Sequence, residues 1–382
     1  MRIFDTLTKS KILLRPTNKV LRIFVCGPTL YDNCHIGHAR VFVLLELIIR
    51  LLESKNYIPH VIVNVTDIDP QLSENNSINP EVIFKAFIDD LNKLGLSDII
   101  YAKTSDYLEQ AKDLTTLLIR KKSAYSINGN VYLDTSKFKT YGALSHLSKR
   151  DLSDRRYDID INKRNTTDIF LWNTSDNYGT EFSNKVLGDG TAWWHMQDTA
   201  VAMFHFNADY DVHVGGIDLC YPHHEVLRSN LMALSRKKRP VKCWVHVGIL
   251  DIENEKMSKS TGNAIYIREL LKKYDANTLK LYFFSNNYKE LINFKFSDLN
   301  RYDKINNMVR NLVSGSDYEN EDYDIANENV NPKESGTIKK FNNYIANDLD
   351  TPNALKLFLD TVTNPNKMAD AKKMMKIFGL RY

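Results

Sequence analysis

Cysteine is scarce in this chain: four in 382 residues, at positions 26, 34, 220 and 243. They stand too far apart for a compact disulfide framework and fall within apolar stretches, so a reducing cytosol is the expected setting. The opening MRIFDTLTKSKILL lacks the continuous apolar segment of a secretory leader. No apolar run approaches the length of a membrane span, and we expect a cytoplasmic protein without membrane contact. An excess of either charge is also missing: 51 Lys and Arg face 47 Asp and Glu, a formal +4. That balance excludes a general polyanion-coating role and leaves only local basic clusters. No internal repeat is found. The 43% of hydrophobic residues, over this length, suffices for two or three domains, each with its own core.

What is present centres on residues 26–40, CGPTLYDNCHIGHAR. Residues 22–26, RIFVC, read as a buried strand that turns at Gly-Pro into a helix, and the apolar run 41–52 continues that helix with the right spacing. His35, Gly37 and His38 sit where the helix begins. A helix N-terminus at the carboxyl end of a strand offers unpaired amides and a positive dipole end, which attract phosphate. Two imidazoles there can donate hydrogen bonds to developing negative charge, and Gly37 lets a flat ring lie against the backbone. Taken alone, HIGH also fits two structural histidines at a helix start. A second stretch, Lys256-Met257-Ser258-Lys259-Ser260 before Thr261-Gly262-Asn263, separates the two readings. Two lysines three apart in a Ser/Gly loop can fold over a triphosphate and neutralise it as it leaves. In this order the pair resembles the two signatures of a class I aminoacyl-tRNA synthetase core.

A strand at 60–65, ending in NVTDIDP, completes a βαβ unit whose ligand crevice lies at the carboxyl ends of its strands, so Cys26 and Thr66 open onto one crevice. Asp67 and Asp69 hold a substrate amine or a nearby helix, or cap the next one. Periodicity at 80–94 and 105–122 predicts two sheet-covering helices. From 125 to 172, short strands and polar turns predict an insertion between two halves of a nucleotide fold, with 151–164 as a mobile solvated loop. The second half holds WWHMQDTAVAMF, the strand-like DYDVHVGG, IDLCYPHHEVLRSNLMAL and the strand WVHVGIL. It gathers His195, His213, His223, His224 and His246, which points to a site. The basic loop 236–239 reads either as a contact for a tRNA acceptor stem or, as we expect, as an exposed charge cluster without a binding partner. From 266 the pattern is helical to the end, with 317–331 an acidic, polar loop and two amphipathic helices in 339–380 that have 347–352, NDLDTP, between them or at their start.

The stretches CGPTLYDNCHIGHAR, NVTDID, NVYLDTSKF, DIFLW, GGIDLCYPHHE, VHVGIL and KMSKSTGN, with NDLDTPNAL near the end, resemble the cysteinyl-tRNA synthetase family in its order and over nearly the whole chain. The resemblance implies an α/β fold: a Rossmann-like class I synthetase catalytic core with an inserted connective segment, then an α-helical bundle. It divides the chain into 1–122, the first half of the core; 123–190, the insertion; 191–265, the second half with the KMSKS loop; and 266–382, the stem-contact and helical bundle domain. It implies ATP-dependent activation of cysteine as an adenylate, with Mg2+, and transfer to the terminal adenosine of tRNA. The implied partners are ATP, the amino acid and tRNA, with no stable protein partner. By position, His35 and His38 would stabilise the pentavalent α-phosphate, and Lys256 and Lys259 the departing pyrophosphate. Gly37, Gly215, Gly216, Asp218 and Lys259 would hold the nucleotide, and Thr66 and Trp194 would line the amino-acid pocket.

The sequence departs from the family in two ways. The family selects cysteine through a zinc ion held by two cysteines, a histidine and a glutamate. Here Cys26 and His223 match, whereas Asp198 stands at the second cysteine and Leu227 at the glutamate. Cys26, Asp198 and His223 would make a three-residue zinc site with an open position, harder and weaker than the family's. The anticodon-reading segment that follows the helical domain in the family is also outside this sequence. Two other functions therefore stand beside the tRNA ligase: a paralogue that passes the activated cysteine to a small amine, as in mycothiol synthesis, and a non-catalytic nucleotide- or tRNA-binding relative.

Overall fold

The computed structural model describes residues 1–69, 72, 79–97, 99–155, 159–174, 187, 189–257, 262–315 and 334–382. The chain opens with a hairpin, β1 (Arg2–Asp5) and β2 (Ser10–Leu13), before strand β3 (Val20–Val25) and helix α1 (Ile36–Glu53). Strand β4 (Ile58–Val65) returns beside β3, and α2 (Pro80–Lys93) leads to β5 (Ile100–Lys103). Asn79 caps α2 by accepting from Glu81 N and Val82 N, with Pro80 fixing the first turn. Helix α3 (Leu108–Arg120) begins later than its periodicity predicts, because Thr104–Tyr107 form a single 3-10 turn. That turn is pinned by Asp67, which accepts from Ser105 N at 2.9 Å and Thr104 Oγ1 at 3.1 Å. Asp67 thus holds a nearby helical turn and does not cap the next helix, whose N-cap is Asn79.

The insertion follows as an antiparallel sheet of β6 (Ala124–Ile127), β7 (Asn130–Leu133), β8 (Ile169–Asn173) and β9 (Thr191–Ala192), with short α4 (Lys149–Asp154) between β7 and β8. The expected solvated loop 151–164 is mostly exposed among its described residues, with two tethers to the sheet. Asp160 accepts from Tyr132 Oη at 2.6 Å, and the Arg164 guanidinium lies 4.1 Å from the centre of the Tyr125 ring. The second half comprises α5 (Trp194–Phe206), β10 (Tyr210–Gly216), α6 (His223–Ser235) and β11 (Val241–Val247). The basic loop 236–239 is exposed, as expected, and two of its cations are paired within the chain: Lys237 with Asp209 at 3.0 Å and Arg239 with Asp5 at 2.8 Å.

The central sheet is parallel throughout and ordered β11-β10-β3-β4-β5. From β3 the chain builds outward in one direction to β5, then re-enters on the other side of β3 through β10 and β11. The reversal leaves a crevice at the carboxyl ends of β3 and β10, where α/β sheets take ligands. One core packs α1 and the C-terminal helices on one face of the sheet; a second packs α5 and α6 on the other.

Beyond the sheet lie β12 (Leu250–Ile252), β13 (Glu255–Lys256), α7 (Ile267–Leu271), α8 (Ala276–Phe284), β14 (Ile292–Phe294) and α9 (Phe296–Ser314). The expectation of helix alone after 266 is corrected by β14, which adds in parallel to β12 with Ile292 and Phe294 buried. The two predicted tail helices are three: α10 (Gly336–Ala346), α11 (Thr351–Val362) and α12 (Met368–Phe378). Asp350 caps α11 within 347–352, where the sequence places a helix start, and the additional break is the 3-10 turn Pro365–Lys367 before α12. The acidic segment 317–331 lies outside the described residues. Among the described residues no helix is long and apolar enough to cross a membrane.

Candidate active site and metal-ligand cluster

The start of α1 is capped by its own histidines. His35 is the N-cap: its Nδ1 accepts from Gly37 N at 3.1 Å, while His38 Nδ1 accepts from His35 N at 3.2 Å, a reciprocal capping box built from imidazoles. The two rings stack with centroids 3.8 Å apart. Because each Nδ1 is an acceptor, the proton of a neutral ring falls on Nε2. A side chain at Gly37 would put its Cβ 2.9 Å from His35 Cε1 and 3.4 Å from Met257 Cε, so glycine is needed there for ring and thioether to approach. Met257 is part of the KMSKS stretch, and its methyl reaches the middle of HIGH.

The backbone ties the two signatures together. Ile36 N donates to Ile265 O at 2.7 Å and Ile267 N to Cys34 O at 2.9 Å. Tyr266 Oη donates to Asp32 Oδ2 at 2.9 Å. Buried Arg40 binds the layer below, donating to the carbonyls of Gly248, Ile249, Asn287 and Glu290 at 2.6–3.1 Å. Its role has no signature in the sequence, because the partners are backbone atoms more than 200 residues away.

A cleft of about 880 Å³ opens over the carboxyl ends of β3 and β10. From the front half it is lined by Cys26, His35, Gly37, His38, Thr66 and Asp69; from the back half by Trp194, Asp198, Gly216, Asp218, His223 and Lys256. Lys256 is set by the β12–β13 hairpin, opposite Asp251. Lys259 lies outside the described residues. Gly215 does not line the cleft; a Cβ there would lie 2.7 Å from His224 Cε1, so this glycine admits the His224 ring against the strand. Trp194 stacks flat on His223, centroids 4.0 Å apart, and covers one wall.

Below that wall lies a buried cluster around Cys26. Its sulfur is 3.4 Å from Asp198 Oδ2 and 3.7 Å from His223 Nε2, and Asp198 Oδ2 is 3.0 Å from His223 Nε2. Asn64, at the end of β4, orients the carboxylate by donating to Asp198 Oδ1 at 2.6 Å. His195 holds the far side of His223, Nδ1 to Nδ1 at 2.8 Å. Burial, and then the Asp198 charge, push the Cys26 thiol well up. Burial also holds His195, His213 and His224 well below the ordinary histidine range and lowers His246 to about 3. The ligand atoms of Cys26, Asp198 and His223 lie within 4.8 Å of one another, a fit for a divalent ion. Leu227 is packed in the core between sheet and α6 and offers nothing to it.

Fold and site together define a class I aminoacyl-tRNA synthetase catalytic domain, and the family model described as tRNA synthetases class I (C) catalytic domain matches residues 13–304. The chain belongs to the cysteinyl-tRNA synthetase family. It is 30% identical over 383 residues to the cysteine--tRNA ligase of Methanococcus aeolicus, covering 96% of this chain and 80% of that protein. It is 32% identical to that of Thermoplasma acidophilum, covering 96% and 82%. The methionyl-tRNA synthetase of Mycobacterium tuberculosis, solved with methionyl-adenylate, shares the fold at a TM-score of 0.65 and 12% identity, covering 94% of this chain and 87% of that one.

Proposed function

We propose that this chain activates cysteine with ATP and transfers it to tRNA. The supporting observation is that both HIGH histidines, Met257 and Lys256, from opposite ends of the catalytic region, meet at one cleft. In the first step the substrate carboxylate oxygen attacks the α-phosphorus, the bond to the β-phosphate oxygen breaks, and pyrophosphate leaves with the electron pair. The Nε2–H groups of His35 and His38 donate to the α-phosphate oxygens as negative charge builds there, and Lys256 and Lys259 neutralise the β- and γ-phosphates. Gly37 and Gly216 allow close approach of the nucleoside, and Asp218 accepts from the ribose hydroxyls. The resemblance assigns Gly215 to the nucleotide; its packing against His224 supports an indirect role through the strand. Thr66 and Trp194 border the amino-acid pocket. Magnesium accompanies ATP by the chemistry of the class. Cys26, Asp198 and His223 at the cleft floor would hold a zinc ion, which would supply a Lewis acid for the substrate thiolate. In the second step a ribose hydroxyl of the terminal adenosine takes the acyl group and AMP leaves.

The test is pyrophosphate exchange with each amino acid, followed by transfer to total tRNA and to small amines. Cysteine-dependent exchange with tRNA charging is the expected result. Exchange with transfer only to an amine would replace the acceptor, and no exchange with any amino acid would leave a binding protein.

A further inference from the structure

The Cys26 sulfur is met from two sides. Asp198 and His223 approach it from the cleft. From the opposite side come His213 Nε2 at 3.4 Å and His224 Nε2 at 3.0 Å, and neither of these residues lines the cleft. A thiol carries one proton and satisfies one acceptor. Four ligand-type atoms within 3.7 Å of one sulfur suit a metal-bound thiolate better than a lone thiol.

We propose that Cys26, His213 and His224 form a second, inner zinc site, closed to the cleft and sharing the Cys26 sulfur with the outer group of Asp198 and His223. The three ligand atoms lie within 4.8 Å of one another. With Zn–S of about 2.3 Å and Zn–N of about 2.0–2.1 Å, sulfur and nitrogen ligands of a tetrahedral ion stand about 3.5 Å apart, so the observed spacing needs only a small outward shift. Both rings have the outer support that ligating histidines use. His213 Nδ1 meets Tyr210 Oη at 2.9 Å; His224 Nδ1 meets His246 Nε2 at 2.8 Å, and His246 Nδ1 meets Thr6 Oγ1 at 2.8 Å. Each Nε2 is thereby aimed at the sulfur.

The ligands sit on rigid elements. Cys26 directly follows β3 and its N–H donates to Val214 O at 3.0 Å; His213 is within β10; His224 is in the first turn of α6. Gly215 is the position that lets His224 reach in. Loading the site displaces the Cys26 proton to solvent and leaves one positive charge on the cluster. A filled inner site would lock β3, β10 and α6 at the strand ends that carry the cleft, a structural role for a metal beside the substrate-facing one.

Zinc content of the full-length chain and its Co2+ absorption after exchange test this directly. Asp198→Asn, which disables the outer group, is expected to keep about one zinc per chain and the thiolate-to-cobalt band. His213→Gln and His224→Gln are each expected to weaken that ion at least about tenfold. Gly215→Ala, which crowds His224 without touching a ligand, should do the same in part, and circular dichroism checks that each variant folds. A wild-type chain without zinc, a metal-free Asp198→Asn protein, or a folded His224→Gln protein with wild-type zinc affinity would each overturn the proposal. The readout is metal content, so failed pyrophosphate exchange bears on the activity and not on this site.

Discussion

His35 does two jobs that one substitution can separate. Its Nδ1 caps α1, while its Nε2–H faces the cleft. Asparagine retains a capping oxygen but removes the Nε2–H, so His35→Asn should keep the unfolding midpoint and slow adenylate formation about 100-fold, the cost of one lost oxyanion donor. His35→Ala should lose the rate and, in addition, about 1 kcal/mol of stability. Pyrophosphate exchange beside thermal melting checks both, and equal stability of the two variants would contradict the capping role. Arg40 is the other residue with a large expected effect. Arg40→Met would leave four carbonyls of 248–290 without their buried donor, and urea unfolding should register a loss of about 3 kcal/mol. A loss below 1 kcal/mol, on the order of an ordinary surface change, would contradict that role.

Helices α2 and α7 meet at Asp90 and Arg268, where the chain carries a charge at a cost. Asp90 is 1% exposed, both its oxygens lack a hydrogen-bond partner, and Arg268 Nε stands 3.7 Å away. Burial raises the Asp90 pKa, with Arg268 opposing. A carboxyl raised in the folded state binds its proton more tightly there than in the unfolded chain. Stability is therefore fullest below the ordinary aspartate range and falls as pH rises through the raised value. Asp90→Asn should gain about 1 kcal/mol at pH 7 and lose that advantage toward pH 4; a pH-independent difference would exclude the charge as the cause. At this scale the sequence was informative where signals are local. The βαβ unit, α1 and its histidines and the capped α2 could be read from spacing and end residues. Strand β14 could not, because three residues become a strand only when β12 offers an edge. The Asp350 start of α11 is legible from NDLDTP, whereas the break at 363–367 is not, since α11 and α12 on either side of it bury their stripes in one shared core. The histidine cluster was legible as a gathering, but not its order around Cys26: which imidazole faces the sulfur depends on the β3–β10 register and on Gly215.

Across the whole molecule, the reversal of strand order at β3 and β10 brings residues more than 200 positions apart to one cleft. The HIGH turn is then stitched to the segment after KMSKS by Ile36–Ile265 and Ile267–Cys34 hydrogen bonds. Groups brought to the same triphosphate should not act independently, because each stabilises charge that the other also senses. The most direct test is a double-mutant cycle on cysteine-dependent pyrophosphate exchange with wild type, His38→Ala, Lys256→Ala and the double variant. A shared site predicts that each single change slows exchange and that the double loss departs from the product of the two by at least about 0.5 kcal/mol. Two losses that simply multiply, or a Lys256→Ala enzyme as fast as wild type, would contradict convergence of the two signatures on one bound nucleotide.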